Sequence, residues 1–234
     1  QRQMCIRDRI STALQLPGIF IQVISRKENE IWIGSAQGLF RYNTDTEQMK
    51  HYMHDPKDNA SLSQNFVTDI SETGEHTMLI ATLKGINLYN ALTDKFEQIN
   101  KDTSEGKGQY PQSTLNCDFV NCLLTDGDII WVGTEVGGLN KMSRRMLFVQ
   151  NYYHTHTIPE SLSKNPVNAI YEDPAGNLWV GTVEGGLNRQ TPGNSGFEHY
   201  TTDAPARLSH NSVSCFTTDD EGRLWIGTWG GGIG

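Results

Sequence analysis

The side chains best suited to chemistry in this 234-residue chain sit in five short segments: Ala36-Gln37, Leu83-Lys84, Glu135-Val136, Val183-Glu184 and Trp229-Gly230. Each follows an apolar run and precedes a glycine. The flanking residues repeat from copy to copy while these vary, so packing does not dictate them. Trp229 offers an aromatic face for stacking. Gln37, Lys84, Glu135 and Glu184 offer hydrogen bonds to hydroxyls or to charged substituents. That is the chemistry of holding a ligand, not of transforming it. Glu172-Asp173 and Asp219-Asp220 fall at turns, where carboxylates are solvated; general acid–base work would need burial to move their pKa values. His154-Thr155-His156 brings two imidazoles close together beside Tyr152-Tyr153, without a third metal ligand nearby. Cys5, Cys117, Cys122 and Cys215 show no zinc spacing. Cys122 and Cys215 read as small buried residues, separated by a whole repeat and so not bridged. The paired glycines Gly137-Gly138, Gly185-Gly186 and Gly231-Gly232 supply turn conformations, with no following helix to make a phosphate cradle. No catalytic residue, metal ligand or cofactor is assigned.

The elements that must carry those segments are strands. Asn165 to Arg189 reads N-P-V-N-A-I-Y-E-D-P-A-G-N-L-W-V-G-T-V-E-G-G-L-N-R, two strands and a turn, with a third strand opening at Leu187. The second-strand core recurs as Ile31-Trp32-Ile33-Gly34, Met78-Leu79-Ile80-Ala81, Ile130-Trp131-Val132-Gly133, Leu178-Trp179-Val180-Gly181 and Leu224-Trp225-Ile226-Gly227. From Gly34 through Ala81, Gly133 and Gly181 to Gly227 the steps are 46 to 52 residues, the period of a four-stranded propeller blade. Trp32, Trp131, Trp179 and Trp225 are expected to fill the wedge between neighbouring sheets, and the glycine after each Trp-x pair to let the next blade approach. The connector repeats too: Ser61-Leu62-Ser63-Gln64-Asn65, Ser161-Leu162-Ser163-Lys164-Asn165, Leu208-Ser209-His210-Asn211 and, more weakly, Thr114-Leu115-Asn116-Cys117-Asp118. Its leucine is expected to plug the gap between blades. The second copy diverges most, and residues 100–118 form the longest connector.

The fold class expected is therefore all-β, a partial β-propeller of about five four-stranded antiparallel blades at 19–53, 66–100, 119–153, 167–201 and 213–234, the last truncated. Residues 1–9 match none of this, contain no signal-peptide core, and resemble a translated sequencing adapter. Both ends read as cut. Net charge −8 and the lack of a basic stripe argue against nucleic acid. No run of 18 apolar residues is present to span a membrane.

The string V-x-x-I-x-E-D-x-x-G-x-L-W-V-G-T-x-x-G-G-L-N-R resembles the two-component regulator propeller repeat, as does the connector H-D-P-x-x-x-x-S-L-S-x-N. The resemblance runs from Ile19 to Gly234. It implies part of a seven-bladed ring in the periplasmic sensor region of a hybrid two-component system, the extracytoplasmic part of an inner-membrane protein. It implies an oligosaccharide ligand, partners in the remaining blades and following domains or in a homodimer, and a histidine kinase elsewhere in the parent chain. The variable segments would emerge with the connectors on one face, near the mouth of the central channel. Two other classes share parts of the pattern. A propeller lyase or hydrolase of the streptogramin-lyase type carries W-x-G but needs a His/Glu pair on its loops and a metal. A protein-interaction or dimerisation scaffold needs neither. WD40 repeats would show Trp-Asp, which does not occur here.

Overall fold

A computed structural model describes residues 18–100, 115–143, 149–203, 208–219 and 221–234. The reading of residues 1–9, Cys5, most of the long connector and Asp220 lie outside those residues. The described chain is all-β, in five small antiparallel sheets with the meander order of propeller blades. It falls into two compact units, Gln1–Ile99 and Asn100–Gly234.

The first unit holds two blades. Strands β1 to β4 are Ile21–Lys27, Glu30–Ser35, Gly38–Asn43 and Met49–Tyr52; β5 to β8 are Val67–Gly74, Thr77–Thr82, Gly85–Asn90 and Lys95–Ile99. The innermost strands β1 and β5 lie side by side. The core between the blades contains Trp32, Leu39 and Tyr52 from one side and Val67, Met78, Ile80, Tyr89 and Phe96 from the other, with the connector's Leu62 fully buried among them. Leu79 stands where other copies have tryptophan and is 2% exposed, so a smaller side chain fills that place.

The second unit holds three blades. Strands β9 to β12 are Val120–Asp126, Ile129–Thr134, Leu139–Ser143 and Val149–Tyr152; β13 to β16 are Val167–Glu172, Leu178–Thr182, Gly186–Gln190 and Glu198–Tyr200. The last sheet has β17 Val213–Thr218, β18 Leu224–Thr228 and β19 Gly232–Ile233. Strand β13 packs against both β9 and β17. Every innermost strand in both units shifts register at the same step, for example between Val167 and Ala169.

Two expectations need correction here. The tryptophans are not buried alike: Trp32 and Trp131 are buried, Trp179 is half-buried, and Trp225 is 40% exposed. Each indole depends on a following sheet to cover it, and among the described residues none follows β19. Cys215 is exposed for the same reason, whereas Cys122, at the matching register position opposite Gly133, is buried.

The connectors are anchored by buried amides. Asn188 Oδ1 accepts the Ser163 N–H at 2.8 Å and Asn87 Oδ1 that of Ser63 at 2.7 Å. His154 acts as a clasp: its N–H donates to Asn165 Oδ1 at 2.6 Å and its Nδ1–H to the Leu162 carbonyl at 2.7 Å. His54 makes the same pair of bonds to Asn65 and Leu62. The first histidine of the His154-x-His156 pair thus has a structural task.

The turn aspartates are also more than solvated turn residues. Asp173 Oδ2 accepts the Trp179 indole N–H at 2.9 Å, and Asp219 Oδ2 accepts that of Trp225 at 2.8 Å. At the same end, blade contacts differ in sign. Lys27 pairs with Glu72 at 3.1 Å between the first two blades, while the matching positions in the second unit are Asp126 and Glu172. Burial first, and the Asp126 carboxylate next, push the Glu172 carboxyl above its usual range. A folded-state pKa raised above the unfolded value means the native state holds the proton more tightly. Stability is therefore lost as pH rises from the ordinary glutamate value, about 4.3, through the raised one. Glu172→Gln is expected to stabilise the chain at neutral pH by a few tenths of a kcal/mol, solvent screening discounted, and to change little near pH 4. Urea melts at the two pH values check this; a loss of stability at neutral pH would contradict it.

Candidate functional site

The loop between the second and third strands is tied down identically in each blade. Its first residue donates its N–H to the residue just before the innermost strand: Ala36 to Phe20, Leu83 to Phe66, Glu135 to Phe119, Val183 to Pro166 and Trp229 to Ser212, at 2.8 to 3.3 Å. The third strand is bonded to the next connector as well, with Gly186 N–H donating to Asn211 at 2.7 Å. Gly186 adopts φ +81, and a Cβ there would stand 2.2 Å from the Tyr200 carbonyl oxygen, so only glycine fits. Backbone bonding thus places the variable loop tips beside the connectors within each unit.

Gln37 and Lys84 belong to the first unit, where both are exposed. The Gln37 carbonyl lies 2.9 Å from His51 Nε2, and the Lys84 N–H is capped by Thr82 Oγ1 at 3.1 Å. Glu135, Glu184 and Trp229 belong to the second unit and are exposed there. The structure brings Glu184 and Trp229 into one open pocket of about 510 Å³, lined also by Val183, His210, Asn211, Ser212 and Gly230. Glu135 is not in that cavity. Its Oε2 accepts from Asn121 Nδ2 at 2.8 Å.

Ser212 organises the cavity. Its hydroxyl oxygen accepts the Glu184 N–H at 3.1 Å, its carbonyl accepts the Trp229 N–H at 2.8 Å, and its own N–H donates to His210 Nδ1 at 2.9 Å. With Ser212 itself 4% exposed, one buried residue sets the spacing of two exposed ones. Glu184 holds φ +58, a left-handed conformation that glutamate rarely adopts. Trp229 is 75% exposed, a large aromatic face at the rim of the pocket in the last blade.

Sequence reasoning missed Ser212, His210, Asn121 and Phe119. Phe119 is 53% exposed and its carbonyl receives the Glu135 N–H, so a second ring stands beside that loop. A signal for it was present: phenylalanine also occupies the corresponding positions Phe20 and Phe66. The arrangement can grip a ligand having both a flat apolar face and hydroxyls, by stacking on rings and hydrogen bonding to carboxylates and amides. Among the described residues no group of three His, Cys, Asp or Glu side chains is placed to hold a metal ion.

Residues 161–184 and 207–230 match the model of the two-component regulator propeller, and the chain carries repeats of that type. Both matched stretches run from the connector to the loop, taking in Glu184 and Trp229. No curated protein matches the chain. Among solved structures it is similar to the extracellular domain of BT3049, named as a hybrid two-component system of B. thetaiotaomicron, at 24% identity and TM-score 0.64. That alignment covers 91% of this chain and 33% of the other. The extracellular domain of a second such system, BT4673 of B. thetaiotaomicron, gives 23% identity and TM-score 0.70 over 92% of this chain and 26% of its own. The WD40 β-propeller domain of Doa1 gives 16% identity and TM-score 0.60 over 90% of this chain and 61% of its own. The chain thus spans a third or less of the two-component relatives. At these identities what is shared is the propeller fold.

Proposed function

We propose that this chain is a ligand-sensing part of a hybrid two-component system, acting outside the cytoplasm, in the periplasm, and that it binds an oligosaccharide at the connector end of its second unit. A histidine kinase elsewhere in the parent protein would receive the signal. The repeat matches and the extracellular two-component relatives support the class of protein. One observation carries the ligand: an indole 75% exposed across a cavity from a conformationally strained glutamate, both spaced by the buried Ser212. Strain of this kind persists where surrounding structure over-determines it, and it gathers at ligand sites. A sugar ring offers a C–H face to the indole and hydroxyls to the carboxylate.

Isothermal titration of the full chain with a panel of oligosaccharides tests the reading. Trp229→Ala is expected to weaken binding about tenfold or more, the usual effect of removing an aromatic anchor, while leaving the thermal melt unchanged. Unchanged affinity in a folded variant would remove Trp229 from the site.

A further inference from the structure

The junction of the first and second blades and that of the third and fourth are built on one plan and finished differently. In the first unit Tyr52 and Tyr89 stand with their hydroxyls 3.2 Å apart, and both donate to Asp94 Oδ1 at 2.8 Å. Lys50 pairs with the other oxygen of that carboxylate. A second carboxylate, Glu30, takes the Trp32 indole N–H at 3.2 Å and the Arg41 Nε–H at 2.8 Å.

The ring cluster recurs in the second unit. Tyr152 lies 6.0 Å from Trp131 and 5.7 Å, edge-on, from Phe197, as Tyr52 lies 6.4 Å from Trp32 and 5.4 Å from Phe96. The polar residues around it do not recur. By register Gln190 stands in the place of Tyr89, Gln150 in that of Lys50 and Ile129 in that of Glu30. Ser195 stands in the place of Asp94, two residues before Phe197, whose N–H donates to the Glu160 carbonyl as that of Phe96 does to Ala60. With both carboxylates replaced, two buried donors are left without an acceptor: Trp131 Nε1 and Gln190 Nε2. Trp131 is 5% exposed and Gln190 9%, and unpaired donors at such depth are costly and uncommon.

An open pocket of about 590 Å³ lies beside Ser195, lined also by Tyr152, Phe197, Tyr153, Ile158 and Glu160. Burial pushes the Tyr152 hydroxyl above its usual range, so it keeps its proton and can donate. The Gln190 amide lies against that hydroxyl. Trp131 does not line the pocket, so its indole N–H is no part of the site. The charges differ in the same sense. The first junction sets Lys50 and Arg41 against Asp94 and Glu30, whereas the second keeps Lys141, its Nζ 4.9 Å over the Trp131 ring, and neither carboxylate. Glu160 is the only ionised residue among those lining the pocket; it is exposed, where solvent and salt screen it.

We propose that this pocket binds a small organic carboxylate, whose oxygens accept from Tyr152 and Gln190 as Asp94 does from the phenols of the first unit, and whose apolar body lies against Tyr153 and Ile158. A carboxylate offers several acceptor sites on two oxygens, so it can meet both donors at once. Tyr153 and Ile158 are 57% and 54% exposed, apolar surface for the body of the acid to cover. The pocket shares no lining residue with that of Glu184 and Trp229, and it does not depend on the oligosaccharide reading.

Benzoate is the probe and benzamide its uncharged control. Each is titrated into the full chain at neutral pH and followed by side-chain amide resonances and by the thermal melt. Benzoate is expected to move the Gln190 signal, identified by its loss in Gln190→Leu, with benzamide tenfold or more weaker. Tyr152→Phe removes only the hydroxyl and should weaken benzoate about tenfold. Ser195→Asp supplies the carboxylate from the chain itself: it should raise Tm by about 2–4 °C and abolish the response to benzoate. Should Ser195→Asp fail to fold, Tyr152→Phe decides alone. The carboxylate site is overturned if benzamide binds as tightly as benzoate, or if folded Tyr152→Phe keeps full affinity. It is equally overturned if Ser195→Asp melts earlier and still responds, or if benzoate leaves the Gln190 signal in place.

Discussion

Trp32→Ala is expected to cost about 3–5 kcal/mol, while the same change at Trp225 costs about 1 kcal/mol or less. The two residues hold the same place in the repeat. Trp32 is 1% exposed, stacks on Tyr52 at 6.4 Å, and meets the edge of Tyr89, from the next blade, at 5.0 Å. Removing it empties the middle of the first unit's core. Trp225 is 40% exposed, with its indole N–H on Asp219 and Arg223 over its ring at 5.9 Å, so its removal strips surface contacts only. Urea unfolding of the two variants gives the comparison, with hydrogen exchange as a check on whether units open separately. Equal losses would show that the indole stabilises its own sheet instead of the contact between sheets.

Gly181→Ala is expected to destabilise the second unit by about 1–3 kcal/mol, although alanine is ordinarily the better strand residue. A Cβ on Gly181 would lie 2.5 Å from Val213 Cγ1 and 2.9 Å from Val213 Cβ, in the next blade's innermost strand. Val213 is fully buried and cannot withdraw. The same collision awaits at Gly34 against Val67 and at Gly133 against Val167. Pairing Gly181→Ala with Val213→Ala makes the cause measurable: the double variant should be more stable than the two separate losses predict. Simple additivity would mean that the glycine serves something other than blade approach.

What the sequence revealed and what it hid follow from how far each feature depends on neighbours. The blades were legible because W-x-G and S-L-S-x-N are local demands: an indole, a missing Cβ, a leucine plug and a capping asparagine, each needed wherever a blade meets another. The burial of Trp225 and Cys215 was not legible, since position within a repeat says nothing of whether a following sheet covers it. The loops bearing Glu184 and Trp229 stood out as variable segments between repeating residues. Ser212, which spaces them, looks like any connector serine; its role lies in three hydrogen bonds that only coordinates reveal. The raised Glu172 carboxyl likewise comes first from burial and then from Asp126, a blade away in sequence, neither of which its own strand announces. The bulges stayed hidden because alternation read along one strand does not show where its partner skips.

A bulge repeated at one place in every innermost strand gives the fold a position that can vary while the paired residues around it keep their packing. The residue passed over by the register stands outside the alternation of the pleat, so the strand's inward and outward faces do not dictate its type. Gln22, Thr68, Asn121, Asn168 and Ser214 are four residue types at one position of otherwise similar strands. A repeated blade can thus diverge at that one address while its frame stays the same.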